Sequence, residues 1–277
     1  MNPLQSLPEL RRCLRALLIV LCCGLFCVLM AACLPTSSSQ GTRLMSAKYP
    51  ATTFFRGHYL EMAKAIEAND IPRLERLAQG QDLMLKGEKD MSLIWFAILH
   101  EKFDAISALI RLGVNPDRQT AKGLGSALEW TFIKHDDIRY LKAMLDGGLD
   151  PNHKDPDHKL MLQRGVAGGL EHVKLLLSRG TRINDRDNIG GTALYEAITS
   201  VKPDIAIYLV QQGVDVNTVM TNGVTPAWSV HNRINETRPG NPIHEKFLQL
   251  RDLMIKKGVK WPPLPPAEVR ARSGKTK

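Results

Sequence analysis

The residues best placed to do chemistry lie in His153-Lys154-Asp155-Pro156-Asp157-His158, where two imidazoles flank two carboxylates. Those groups ligate zinc or relay protons when a rigid element aims them at one point. Here Pro156 imposes a turn and no helical i,i+4 spacing orients the ligands, so the segment reads as a connecting finger and no metal is assigned. His135-Asp136-Asp137 falls where a turn between two helices is expected, which is a capping role. Ser273-Gly274-Lys275-Thr276 imitates the end of a phosphate loop, but Val269 stands where the first glycine belongs and no helix can follow. Gly123-Leu124-Gly125-Ser126 lacks the spacing of a nucleophile elbow. All five cysteines, Cys13, Cys22, Cys23, Cys27 and Cys33, precede the region that must fold, which excludes disulfides, zinc-thiolate sites and thiol nucleophiles from it. The chain is therefore expected to have no catalytic residue, no metal site and no cofactor, and not to be an enzyme.

With 44% hydrophobic and 23% charged residues in 277, the composition is that of an ordinary globular protein. The formal net charge is +9; loss of Glu9, Arg11, Arg12 and Arg15 with a leader would leave +7, a balance that favours acidic partners or anionic lipid surfaces.

Arg11, Arg12 and Arg15 precede an uncharged apolar run from Ala16 to Met30, which ends in Ala31-Ala32-Cys33. A basic segment, an apolar segment and small residues at the cut make a secretory leader over 1–32. An uncleaved membrane anchor is the alternative, because the run approaches the ~20 residues that span a bilayer. Leu29-Met30-Ala31-Ala32-Cys33 resembles the bacterial lipobox, which implies acylation of Cys33, with Met30 in place of the commoner leucine. Leu34 rather than aspartate after that cysteine resembles an outer-membrane sorting signal. The expectation is a lipid-anchored protein on the periplasmic side of the envelope. Residues 33–56, rich in Ser, Thr, Gln and Gly up to about Phe55, read as a flexible tether.

The rest is dominated by repetition. Gly113-Val-Asn-Pro-Asp117, Gly148-Leu-Asp-Pro-Asn152, Gly180-Thr-Arg-Ile-Asn184 and Gly213-Val-Asp-Val-Asn217 are one turn recurring at spacings of 35, 32 and 33, with a fifth copy, Gly258-Val-Lys-Trp-Pro262, 45 residues on. Each glycine follows an amphipathic run, where it supplies a left-handed helix cap. Thr192-Ala-Leu-Tyr-Glu-Ala197 and Thr225-Pro-Ala-Trp-Ser-Val230 begin a second helix per unit, with threonine as N-cap. Weaker copies start at Met91 and Ser126, and the copy near Lys159 has lost both threonine and proline. This period and these motifs resemble the ankyrin repeat, with its Gly-Ala-Asp-Val-Asn turn and Thr-Pro-Leu-His helix start. The fold expected is all-α, an ankyrin-repeat solenoid of about six helix-turn-helix units with short hairpin fingers over 57–262. Residues 59–78 would form its N-terminal capping repeat, and 263–277 a basic mobile tail. His231 to His244 reads as an insertion between the last two helices, either a binding loop or a tolerated one. Trp95 and Trp130 are read as equivalent positions in neighbouring repeats; packing of repeat on repeat is favoured over an aromatic binding patch.

The resemblance implies a protein partner held on the concave surface of fingers and first helices. Carried over by position, it selects Glu88, Asp90, Lys122, Asp157, His158, Asn188, Ile189, Thr221 and Asn222 on the fingers and Lys134 and Thr199 on the inner helices, with Trp95 and Trp130 as candidate aromatic contacts. An ankyrin solenoid on an acyl anchor further resembles the immunity lipoproteins paired with type VI secretion phospholipase effectors, which implies a secreted lipase toxin as partner. An envelope scaffold that recruits a resident complex is the alternative, and a degenerate enzyme accessory a third. Export removes nucleic acid as a partner, and the free chain is expected to be a monomer.

Overall fold

Hydroxyl side chains start four of the five central helices. Ser92, Ser126, Thr192 and Thr225 each accept a hydrogen bond from the backbone N–H three residues on, at 3.4, 3.0, 3.3 and 3.1 Å. Such a cap satisfies an amide that the helix leaves orphaned and contributes about 1 kcal/mol. Where the hydroxyl is missing, at Leu160, Gln163 reaches back instead and its Oε1 accepts from the Leu160 N–H at 3.1 Å.

The structure is a computed structural model that describes residues 49–121, 125–133, 137–155, 158–272 and 274. The leader, Cys33 and most of the expected tether lie outside the described residues, as do Lys122, Lys134, His135, Asp136, Pro156, Asp157, Ser273, Lys275 and Thr276. Among the described residues the helices run in order as α1 (Gly57–Ala68), α2 (Ile71–Ala78), α3 (Leu93–Leu99), α4 (Phe103–Arg111), α5 (Ala127–Ile133), α6 (Arg139–Asp146), α7 (Met161–Gly168), α8 (Leu170–Ser178), α9 (Ala193–Thr199), α10 (Pro203–Gln211), α11 (Pro226–Glu236), α12 (Pro242–Lys256) and α13 (Pro266–Arg272). A two-residue ladder, β1 (Thr120–Ala121) against β2 (Gly125–Ser126), forms the second finger. Odd-numbered helices from α1 to α11 pack side by side as an inner row, and each pairs with the even-numbered outer helix that follows it. No described helix is long and apolar enough to cross a membrane.

The five predicted turn glycines end the outer helices with φ between 84° and 99° at Gly113, Gly148, Gly180, Gly213 and Gly258. A side chain is strained in that region, and the space around each glycine is open, so conformation rather than crowding selects the residue. The next amide then reaches back five residues, as in Val114 N to Leu109 O at 3.0 Å and Val214 N to Leu209 O at 3.1 Å, closing the helix end.

Neighbouring repeats are joined by side chains that satisfy backbone groups. Asn152 Oδ1 accepts from Arg182 N and Asn184 Oδ1 from Asp215 N, both at 2.8 Å. On the turn side, His172 Nε2 donates to Thr131 O at 2.9 Å, Lys202 Nζ to Val166 O at 2.8 Å, and Arg233 Nη2 to Thr199 O at 2.7 Å. Each donor covers carbonyls at the C-terminal end of the preceding inner helix, where the helix dipole also favours a cation. Burial holds the Lys202 ammonium below the ordinary lysine range.

Three expectations are corrected. The tether does not extend to residue 56: Ala51, Phe54 and Phe55 are buried, and Phe55 meets Phe96 edge-to-face at 5.4 Å. Burying those rings against the first repeat is worth about 2 kcal/mol each, which offsets much of the entropy lost on ordering the segment. The insertion is no loop: it is absorbed into an eleven-residue α11 and a fifteen-residue α12, against seven and nine in the preceding unit. Thr237 and the buried His244 close the short turn between them at 3.0 Å. Within the expected mobile tail, Pro266–Arg272 form α13, which seats over Gly223, where a Cβ would come within 2.4 Å of Pro266 O.

His100 offers a stability readout. Its imidazole is buried, Nε2 donates to Tyr49 O at 3.0 Å, and Nδ1 has no hydrogen-bond partner. Burial first, with Lys102 adding to it, pulls the pKa below 6.5 against the raising effects of the Tyr49 bond and Glu67. The native state therefore binds fewer protons than the unfolded chain, so the stability tied to a neutral His100 is full above pH 6.5 and is lost as pH falls from there toward the depressed native value. Urea melts at pH 7.5 and 5.5 should show a smaller pH dependence for His100→Asn than for the parent; equal dependences would refute the assignment.

Candidate partner-binding surface

The fingers are tight antiparallel turns that precede the inner helices from α3 to α11. The first pairs Lys86 with Ser92, the second Thr120 with Ser126, the third Lys154 with Leu160. In the fourth, Asp187 N donates to Gly191 O at 2.9 Å, and in the fifth Met220 N to Val224 O at 2.9 Å. Register along the row is set by bonds from one finger to the next: Lys86 Nζ to Thr120 O at 2.9 Å, Gln163 Nε2 to Asp187 Oδ2 at 2.8 Å, and Thr221 N to Ile189 O at 3.0 Å. Arg270 of α13 then donates to Asn222 O, so α13 covers the fifth finger.

The structure brings most of the sequence-selected finger residues to the tips of that row. Glu88, Asp90, His158, Asn188, Ile189, Thr221 and Asn222 are all exposed, Ile189 at 55%. Thr199 is half-buried at the end of α9, where its carbonyl is already taken by Arg233. Glu88 also borders a groove of about 460 Å³ against Phe54, Tyr59 and Leu85. Among the selected residues, Lys122, Lys134 and Asp157 are outside the described set.

The tryptophans part company. Trp95 is only 5% exposed, and its indole N–H donates to Gln119 O of the second finger at 2.7 Å, so it is a packing residue and not a binding contact. Trp130 is half-buried against the core and meets Trp95 edge-on at 5.7 Å. Nor are the two equivalent: counted from the caps Ser92 and Ser126, Trp95 is the third residue after its cap and Trp130 the fourth. The copy read as starting at Met91 is thus shifted by one, because Ser92 makes the cap.

His153 and His158 do not form a site together. His153 Nε2 donates to Asp117 Oδ2 at 2.6 Å, whereas His158 is exposed with φ of 61°. Among the described residues no cluster of three or more His, Cys, Asp or Glu could hold a metal ion. Sequence reasoning missed the residue that organises this region. Arg164 of α7 bridges Asp155 at 2.6 Å and Asp117 at 3.2 Å, and Ser126 donates to Asp117 at 3.2 Å, tying the second and third fingers through carboxylates 8% and 5% exposed. A signal was available: Asp117 stands where the next two turns carry Asn152 and Asn184, so this junction needs a cationic partner instead of a backbone amide.

Comparison with known proteins agrees with this geometry. The family model for ankyrin repeats, in three copies, matches residues 130–220. The described body is an ankyrin-repeat solenoid. It is similar to protein phosphatase 1 regulatory subunit 27 of Mus musculus, 37% identical over 90 residues, 32% of this chain and 55% of that one. Protein PhlB of Serratia liquefaciens is 28% identical over 147 residues, 52% of this chain and 63% of the relative. The first four curated relatives are spanned over only 37% to 63% of their own length. Among solved structures, the ankyrin repeat domain of Bcl-3 superposes with a TM-score of 0.54 at 22% identity, over 72% of this chain and 86% of that chain, which speaks for the fold. Ankyrin repeats are protein-interaction modules, and that coarse function applies here.

Because Arg164 neutralises two nearly buried carboxylates, Arg164→Met should destabilise the chain by about 3 kcal/mol. Urea unfolding measures this; a loss below about 0.5 kcal/mol, the range of an ordinary surface change, would show that the network does not hold the fingers.

Proposed function

We propose that this chain is a lipid-anchored envelope protein that captures an incoming toxic phospholipase and blocks it, as an immunity protein. The observation that carries the binding role is the row of five fingers, tied to one another by backbone and side-chain bonds while their tips stay exposed. A surface ordered before contact loses little entropy on binding, so its contacts convert efficiently into affinity. The regulatory direction is supported by the mouse relative, which is by name a regulatory subunit of an enzyme.

The envelope and toxin elements rest on the sequence. Arg11, Arg12 and Arg15, the apolar run and Cys33 supply an export signal and an acylation site, and the resemblance to immunity lipoproteins supplies the partner class. Anchoring would place the fingers at the membrane surface that a phospholipase must reach. Inhibition then requires no chemistry: occupying the enzyme's cleft or its lipid-facing surface is sufficient.

Two measurements test this reading. Cells lacking the chain, challenged by siblings that deliver a phospholipase effector, should die at higher frequency and be rescued by the parent gene; unchanged survival refutes the immunity role. Labelled palmitate should be incorporated into the parent chain and absent from Cys33→Ala, which should also leave the membrane fraction; labelling that persists in the variant refutes the anchor.

A further inference from the structure

Ion pairing is distributed unevenly over the solenoid. On the outer helices most cations are matched by carboxylates, often across repeats, as in Arg111 with Glu75 at 2.7 Å and Arg179 with Asp146 at 2.6 Å, with Arg76 and Lys256 as exceptions. The fingers differ. Lys89, Arg118, Lys154 and Arg186, at or just before the first four fingers in turn, are exposed and make no ion pair among the described residues. For three of them the adjoining carboxylates are committed elsewhere, Asp117 and Asp155 to Arg164 and Asp185 to Arg182, while Lys89 stands between Glu88 and Asp90.

We propose that this row of four unpaired cations docks a polypeptide segment rich in Asp and Glu, laid across successive fingers. The inference rests on the finger face being the partner-binding surface and adds the chemistry of what it binds. Unmatched like charges along one face repel one another and raise the local potential, and a chain of net charge +9 has no surplus of acid to compensate them. An acidic partner removes that repulsion and is steered to the face at long range. An anionic lipid surface offers the same sign of charge but fits worse. Exposed Glu88 and Asp90 flank Lys89 at the tip of the first finger, and a uniform sheet of phosphates would press against them. A polypeptide can set a basic residue opposite that pair and acids opposite the other fingers.

The experiment uses the full chain and a fluorescein-labelled peptide of alternating Asp and Glu, followed by anisotropy at low and physiological salt. Lys154→Glu with Arg186→Glu reverses two finger cations. Lys257→Glu with Lys260→Glu makes the same charge change at exposed positions on and just after the end of α12. Superimposable thermal melts establish that both double variants are folded. The finger variant should bind the peptide about tenfold more weakly and lose most of its salt dependence, while the α12 variant should stay within about twofold of the parent. Equal weakening in both would show that only net charge matters, and would overturn the proposal. So would a parent that ignores the peptide yet binds vesicles of equal phosphatidylglycerol and phosphatidylcholine through the same two fingers. If the finger variant loses the peptide but still protects cells against the phospholipase, the acidic-segment inference falls and the immunity reading stands. Loss of protection in every variant and in the parent would remove the immunity reading alone.

Discussion

No single helix pair of this chain can bury its own apolar face, and closing each pair against the next is the interaction on which everything else depends. The inner helices α3, α5, α7, α9 and α11 present Phe96, Leu128, Leu162, Leu194 and Val230 to that shared core, each at most 2% exposed. Apolar contact of this kind has no direction of its own. Register comes from the polar groups at the edges, where Asn152 and Asn184 each accept an amide from the following repeat, and His172, Lys202 and Arg233 each cover carbonyls of the preceding one. An amide or carbonyl left without a partner at such an interface would cost more than the bond contributes, so these side chains penalise misaligned stacking.

Rigidity of the fingers follows from the same accounting. A two-residue ladder or a single bridge is too small to be stable alone. Each finger is held because a neighbour completes it: Trp95 donates into the second, Gln163 into the fourth, and Ile189 accepts from the fifth, which α13 covers. Arg164 does the same between the second and third with charge, at a point where Asp117 replaces the asparagine. What stays outward is therefore what the repeats do not need for stacking. That residue of unused groups, Asn188, Ile189 and the four unpaired cations among them, is the surface available to a partner.

Much of this was legible in the sequence because local rules and the repeat coincide. Glycine at 113, 148, 180, 213 and 258 marks helix ends whatever the surroundings, since only a residue without a side chain takes that backbone conformation freely. Thr192 and Thr225 likewise mark helix starts. The ambiguous starts were those without a threonine, as at Met91 and Ser92, and there the one-residue difference between Trp95 and Trp130 was not legible, although the favoured reading of Trp95 as a packing group agrees with its burial.

Period, helix pairing, the inner and outer rows and the position of the fingertips were thus determined by the sequence alone, because each depends on residues within one repeat and recurs in the next. Only the tertiary structure decided that Ala51, Phe54 and Phe55 lie in the core, that the segment 231–244 lengthens two helices, that 266–272 folds over the fifth finger, and that Arg164 joins two carboxylates contributed by different fingers. These features occur once each, so no repetition announces them. Their free energy comes from contacts between segments distant in the chain, which exist only after the solenoid has brought those segments together.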